Sequence, residues 1–316
     1  MKEEGFGQAR GILLAKSDGC SVYQFRNETG DGTMTCYEVF PGAMLSFNDF
    51  HVRYFDSEYV PGRNMFVIDH CREGKMEYLA AENAYAYVGA GDIKMDRRLT
   101  HTGRFVFPSS HYHGLTIGFD MEIAAAALAE EVKDFPVDLL RLEEKYCPGR
   151  YPNLIHEKGA AEHIFGELYQ VPEKIRIPYF KIKIMELLLY LDALELPKEQ
   201  EERPYYYKTQ VEKVKAIQAF LAEHMAENYT QEDLSERFEI PLTGMKNCFK
   251  SVYGTSIGAW LTDYRMNRAA ELLRADREKS VAEIAGLVGY DSASKFAIAF
   301  RKIMGMSPVE YRSAIR

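Results

Sequence analysis

From residue 20 to residue 119 the apolar positions come in short runs rich in Tyr, Phe and Val, cut by turn residues. CSVYQF, TMTCYEVF, AMLSF, MFVIDHC, KMEYLA, YAYVG, GRFVFP and GLTIGF each predict a strand. Gly30, Gly32, Pro41–Gly42, Pro61–Gly62, Gly74, Gly89 and Gly91 punctuate them. About eight short strands in roughly a hundred residues predict a sandwich or small barrel. After Asp120 the pattern turns helical, first in MEIAAAALAEEV and AAEHIFGELYQ. From Pro178 to Leu196, Phe180, Ile184, Leu187, Leu188 and Leu191 recur at helical spacing. Ile182, Met185 and Leu189 make this helix apolar on a further face, which predicts one side against the sandwich and another against a second copy of the chain. The segment LPKEQEERPYYYK, with two prolines and mostly charged or aromatic residues, predicts a linker. The expected organisation is α+β: a sandwich or barrel with helices over 1–196, a linker over 197–209, and an all-α domain over 210–316.

The last third contains an internal repeat. Thr230-Gln-Glu-Asp-Leu234 matches Ser280-Val-Ala-Glu-Ile284, and Met245, Phe249, Lys250 and Gly254 match Phe296, Phe300, Arg301 and Gly305. Each copy opens with a hydroxyl residue and an acid three positions on, the spacing of a capping box. A short helix, a break (Ile240–Pro241; Gly289–Tyr290) and a second helix follow. Apolar residues at i and i+4 pack that second helix, and a glycine closes it. Two short helices joined by a tight turn predict a helix-turn-helix, whose second helix fits a DNA major groove. Between the copies IGAWLTDYRMNRAAELLRAD carries an amphipathic stripe (Trp260, Leu261, Tyr264, Ala269, Leu272, Leu273), so a helix there would hold both units at a fixed separation.

Charge changes the picture only when split. The whole chain of 316 residues has 39 Lys and Arg against 47 Asp and Glu. From Gln210 onward there are fifteen against fourteen, leaving 24 against 33 before it, so the acidity belongs to the N-terminal two thirds. The C-terminal end is locally basic, with Lys295, Arg301, Lys302, Arg312 and Arg316 opposed only by Glu310. A near-neutral domain binds a polyanion when its cations share one face. The five cysteines are scattered without a CxxC, which argues against a disulfide framework and suits a reducing cytoplasm. No apolar run approaches a membrane span, and the start MKEEGFGQAR lacks the apolar centre of a signal peptide.

The stretches FKSVYGTS followed by WLTDYRMNRAAELL, then SVAEIAGLVGYDSASKFAIAFRKIMG, then MSPVEYR resemble the AraC/XylS family of bacterial transcription regulators over about Val211 to Arg312. The resemblance implies seven helices with two helix-turn-helix units. Ser307–Pro308 then fits as an N-cap followed by Pro at the first position of the last helix. By motif position the first recognition helix runs from about Leu242 to Val252 and exposes Thr243, Gly244, Lys246 and Asn247, with Lys250 toward phosphate. The second presents Ala293, Ser294, Lys295, Ala297 and Ile298, with Arg301 and Lys302 toward the backbone. Asn pairs bidentately with adenine and Lys reaches guanine, whereas Ala and Ile touch only thymine methyls, so the first unit is expected to read more bases. Where relatives place a polar reader, this chain has Ile298. Phe249, Phe296, Phe300, Trp260 and Tyr264 are expected in the core. Arg265 and Arg312 match family arginines, with pairing to Asp263 or Glu310 as the alternative.

The N-terminal two thirds resemble the family's usual companion, a cupin-like sensor followed by dimerisation helices. The likeness implies a small-molecule effector in that half, double-stranded DNA and RNA polymerase as partners, a homodimer, and no membrane. Candidate effector-contacting residues are Tyr37, His70, Tyr78 and Tyr87, within a wider aromatic set that adds Tyr23, Phe47 and Tyr54. His111 and His113 alternate along a strand and, with His70 or His101, would suit a metal. Metal-binding cupins follow His-x-His with a glutamate a few residues on, and here no acid occurs before Asp120. The pair is therefore read as packing or hydrogen bonding near a loop, with no metal, cofactor or enzymatic activity expected. A metal-dependent cupin enzyme fused to a DNA-binding tail and a ligand-independent dimeric regulator remain the rival readings.

Overall fold

The strands predicted from the apolar runs are present, with four additions. The computed structural model describes residues 12–17, 19–59, 64–98, 101–149, 151–156, 160–196 and 205–314. Its strands are β1 (Ile12–Ser17), β2 (Cys20–Asn27), β3 (Gly30–Phe40), β4 (Ala43–His51), β5 (Tyr54–Tyr59), β6 (Met65–Ala81), β7 (Ala84–Gly89), β8 (Asp92–Arg97), β9 (His101–Val106), β10 (Tyr112–Asp120) and β11 (Asn153–His156). All pair antiparallel, in the order β1-β2-β3-β4-β10-β6. The first half of β6 continues to β8 and β11, its second half pairs with β7, and β5–β9 joins beside it. The result is an antiparallel half-barrel.

MFVIDHC and KMEYLA, read as two strands, are one. β6 runs through its bend at Gly74, which has φ +84°, and a Cβ there would meet the His111 carbonyl oxygen at 2.0 Å. β8 escaped prediction because its sequence, DIKMDR, alternates apolar with charged residues and reads as a solvated edge. Asp92, Lys94 and Asp96 instead point to the face opposite the helices, and only Arg97 turns toward them, to Glu143. Lys94 Nζ lies 2.7 Å from Asp69 and 2.6 Å from Asp96, and Arg98 is 2.8 Å from Asp69. Thr116 donates to Asp69 and accepts from Asn48. Burial alone would raise the Asp69 carboxyl; Lys94 and Arg98 outweigh it and hold it well below the usual carboxylate range.

The other sheet face is covered by α1 (Met121–Glu131), α2 (Leu139–Tyr146), α3 (Ala160–Leu168) and α4 (Arg176–Ala193). Leu45, Phe66, Ile68, Leu115, Ile117 and Phe119 pack there against Leu128, Leu142, Phe165, Phe180, Ile184 and Leu188. The expected helix from Pro178 begins two residues earlier and ends at Ala193; Pro178 sits in its first turn, where a missing N–H costs nothing. Its outer side leaves Ile182 and Leu189 exposed, at 61% and 43%. A second, smaller cluster (Phe25, Phe50, Val52, Cys71, Val88, Phe107, Tyr112) fills the opposite face of the half-barrel.

Two compact units result, residues 1–205 and 206–316. Of the expected linker, residues 197–204 lie outside the described residues, and Lys208 already begins a helix. After a two-residue strand (Tyr206–Tyr207) the second unit is helical: α5 (Lys208–Glu223), α6 (Gln231–Arg237), α7 (Leu242–Tyr253), α8 (Ile257–Ala275), α9 (Val281–Leu287), α10 (Ala293–Met304) and α11 (Pro308–Ala314). No described helix is long and apolar enough to cross a membrane.

Candidate nucleic-acid interface

Both copies of the repeat build the same local frame. Thr230 accepts from Asp233 N at 3.1 Å and its own N–H donates to the Asp233 carboxylate at 2.8 Å. Ser280 and Glu283 repeat the exchange at 3.2 and 2.7 Å. These boxes satisfy the first free N–H groups of α6 and α9, and a third, Ser307 with Glu310, starts α11. The turn of each motif needs a left-handed residue: Glu239 (φ +49°) in the first and Gly289 (φ +82°) in the second. The first turn is held by Lys213, which donates to the Glu239 carbonyl at 2.7 Å, and by Ser235, which donates to the Ile240 carbonyl at 2.7 Å. At the second, a Cβ on Gly289 would come within 2.8 Å of both Arg265 Nη2 and the Met225 carbonyl oxygen, so only glycine fits. α7 and α10 both end on left-handed glycines, Gly254 and Gly305.

The long α8 packs against α7, α9, α10 and α11 and so ties the two motifs into one body. Met266, Ala269, Leu273, Ile284, Val288, Phe296 and Phe300 form the core of the second motif. Met245, Cys248, Phe249 and Val252 are the buried side of α7. Phe249, Phe296 and Phe300 are fully buried, as expected, while Trp260 and Tyr264 are half-buried and stack on each other, 5.2 Å between centroids. Arg265 does not pair with Asp263. It is buried and donates to the Met225 and Glu227 carbonyls at 2.7 and 2.8 Å and to Asn228 at 3.2 Å, clamping α8 to the segment before α6. This mostly buried guanidinium, satisfied by carbonyls, braces the domain. Among the described residues Arg312 has no acid partner either: Glu310 is engaged at the N-terminus of α11, and two buried guanidinium nitrogens of Arg312 have no hydrogen-bond partner there.

The opposite faces of the second helices are what this frame presents. On α7, Thr243, Lys246, Asn247 and Lys250 are all exposed at i, i+3, i+4 and i+7, with Gly244 half-buried beside them. On α10, Ala293, Ser294, Lys295, Ile298, Arg301 and Lys302 are exposed and Ala297 is half-buried; Ile298 stands 72% in solvent. Neither helix contains an acid, although this third of the chain holds fourteen. Three of them are on α6 (Glu232, Asp233, Glu236), and the rest lie on α5, α8, α9, α11 and the connecting segments. The cations of α7 and α10 therefore face outward with no carboxylate on their own helix, the arrangement that attracts a phosphate backbone. The starts of the two helices differ. Ser292 caps α10 by accepting from Lys295 N, whereas α7 follows Pro241 with no side-chain cap, leaving its first N–H groups toward solvent or an anion.

A sequence family described as Helix-turn-helix domain matches residues 234–314. The chain is 33% identical over 99 residues to the HTH-type transcriptional regulator ExsA of Pseudomonas aeruginosa, covering 31% of this chain and 35% of ExsA. It is also 33% identical over 87 residues to an AraC-like transcription regulator of Streptomyces lividans, 28% of each. The second unit is a helix-turn-helix domain of the AraC/XylS type. The matched region spans about a third of the length of these relatives. Among solved structures, the DNA-binding domain of AdpA in complex with a target DNA is 31% identical to this chain, with a TM-score of 0.32, covering 33% of this chain and 93% of that one. Within the AraC-type domain, the braces missed by sequence reasoning are Lys213, Ser235 and Arg265. Each acts on a backbone carbonyl, and no sequence pattern marks a residue for that.

In the first unit the aromatic residues singled out by sequence separate. Tyr37 and Phe47 line a cleft of about 210 Å³ with Thr35, Tyr169, Arg176 and Phe180. Arg176 donates to the Tyr37 hydroxyl at 3.3 Å, and among the described residues the buried Tyr169 hydroxyl has no hydrogen-bond partner. Burial raises both phenols. His70 lies elsewhere: buried and stacked on Phe165 at 4.1 Å, with its pKa pushed down to about 4 by burial. Tyr87 is buried and donates to Glu77 at 2.8 Å, and Tyr78 and Tyr23 pack at the edge of the smaller apolar cluster. Tyr54 is a surface residue, bonded to Glu28 and covered by Arg104. His70 does not join His111 and His113; His51 does. The His101 side chain lies outside the described residues.

Proposed function

We propose that this chain is a regulator of transcription that binds double-stranded DNA in a sequence-specific way through α7 and α10. The observation that carries the reading is the pair of acid-free second helices, each with one exposed stripe of cations and small polar groups on a buried, repeated frame. In this reading Thr243, Gly244, Lys246 and Asn247 read base edges, Lys250 holds phosphate, and α10 grips through Lys295, Arg301 and Lys302 with Ala293, Ser294, Ala297 and Ile298 against the groove floor. Contact with RNA polymerase belongs to the same reading, which makes the chain a binding protein and not an enzyme. Mapping of its sites on sheared genomic DNA from the source organism tests it. Discrete sites sharing a motif are expected, whereas uniform coverage following base composition alone would overturn it.

We further propose an effector and a dimer for the first unit. The cleft at Tyr37, Tyr169 and Arg176 supports a small ligand with a flat apolar body and an acceptor group, because the Arg176 guanidinium lies among aromatic walls. Ile182 and Leu189 on the outer side of α4 support self-association as a homodimer. Sedimentation of the full chain is expected to show a dimer at micromolar concentration that Ile182→Glu dissociates.

A further inference from the structure

Five residues with no part in this reading meet on three adjacent strands. β4 supplies Asp49 and His51, and β10 sets His113 directly across from Asp49, with His111 just before it. On the other side of β10, β6 sets Glu73 across from His113. These side chains share the sheet face of Phe47 and Leu115, opposite the buried Asp69–Lys94 network.

Each of the three imidazoles offers a ring nitrogen, and these atoms lie within 4.8 Å of one another. Nδ1 of His51 and Nδ1 of His111 are 3.4 Å apart. Two nitrogens bound tetrahedrally to one zinc-sized ion at about 2.0–2.1 Å stand roughly 3.3 Å apart. The remaining nitrogens of the same rings turn to carboxylates. His51 Nε2 is 2.9 Å from Asp49 Oδ1, and His111 Nε2 is 3.5 Å from Glu73 Oε2. That is the carboxylate–imidazole pairing that fixes the tautomer and leaves the inner lone pair free for a metal. His113 closes the group, its ring centroid 4.4 Å from that of His111 and 5.4 Å from that of His51, and its Nε2 also meets Asp49. The side chains are 56%, 31% and 30% exposed for His51, His111 and His113, so an ion enters without the fold opening. The acidic balance of this half favours a cation further.

We propose that His51, His111 and His113 bind one divalent transition ion of the zinc class, with Asp49 and Glu73 orienting the imidazoles. The expectation that the His111/His113 pair packs or hydrogen-bonds near a loop did not include His51, which lies sixty residues from His111 and meets it only through the sheet register.

The test uses the full chain without an affinity tag, stripped of metal and titrated with Zn²⁺ by calorimetry and with Co²⁺ by visible absorption. The expected result is one equivalent bound at micromolar free metal and a tetrahedral Co²⁺ spectrum, with no competition from excess Mg²⁺, which prefers oxygen ligands. His51→Ala and His111→Ala should each weaken binding by at least about tenfold, and Asp49→Asn by about 10–100-fold, the usual effect of losing an orienting carboxylate. His163→Ala, outside the cluster, should leave binding unchanged. Melting of each metal-free variant at the wild-type temperature shows that folding is intact. Absence of a stoichiometric phase, or binding that survives in the His51→Ala/His111→Ala double variant, would overturn the proposal. Neither outcome touches the DNA-binding reading, which rests on other residues.

Discussion

The two helix-turn-helix motifs of the AraC-type domain share a skeleton and differ in their exposed faces. Both start on capping boxes, turn through a left-handed residue, bury aromatic or sulfur-bearing side chains at matching places on the second helix, and stop at a left-handed glycine. Their outward stripes share little: Thr243, Lys246 and Asn247 on α7 against Ser294, Lys295 and Ile298 on α10. The difference teaches where each kind of information is stored. Positions that satisfy backbone groups or fill the core stay alike, because any change there costs folding energy. Positions facing solvent are free to diverge: α7 carries exposed amide and ammonium groups, while α10 carries a methyl-rich centre flanked by cations, and under the proposed function this divergence divides the labour.

Removing the shared part should do the most damage, and do it evenly. Phe249→Ala and Phe300→Ala each delete a fully buried ring and are expected to cost about 3–5 kcal/mol in urea unfolding. A large inequality between them would mean that the two cores are not equivalent. Next comes the divergent part. Asn247→Ala should weaken binding to a specific duplex by about 1–3 kcal/mol and hardly change binding to random DNA, whereas Ser294→Ala should do little to either. Equal losses on specific and random duplexes for Asn247→Ala would remove that residue as a base reader.

The turns offer a sharper contrast of smaller size. Gly289→Ala places a Cβ in the left-handed region against Arg265 and should cost about 1–2 kcal/mol from backbone strain alone. Glu239→Gly, at the matching turn, relieves such strain and should leave thermal stability unchanged or slightly raised. Destabilisation by both would show that Glu239 makes a contact worth more than its strain. The smallest effect is expected from Lys250→Ala, which should lower affinity for specific and random DNA alike and reduce the salt slope by about one ion. An unchanged slope would take Lys250 off the phosphate backbone.

The C-terminal domain was legible in the sequence because its determinants are local and repeated. Capping spacing, the break between helices and the i, i+4 apolar pairs all fall within a dozen residues, and all stand in the structure. Its braces were not legible: Lys213, Ser235 and Arg265 donate to carbonyls up to forty residues away. In the first unit, strands with buried apolar runs were found. β8 was missed because Asp92 and Lys94 are charged yet buried and Asp96 is half-buried against Lys94, a pairing that only the fold reveals. The aromatic candidates scattered for the same reason. Alternation does not say which face closes over, so Tyr37 reached a cleft while Tyr87 and His70 went into packed interiors.

Selection of full-length chain on a random duplex library, with wild type and Asn247→Ala run side by side, probes sequence-specific recognition by α7 and α10 most directly. The expected outcome is an enriched site with two blocks about 10–10.5 base pairs apart, one sharply specified and one tolerant, the sharp block blurring in the variant. No enriched sequence, or one that Asn247→Ala and Lys246→Ala leave unaltered, would contradict it.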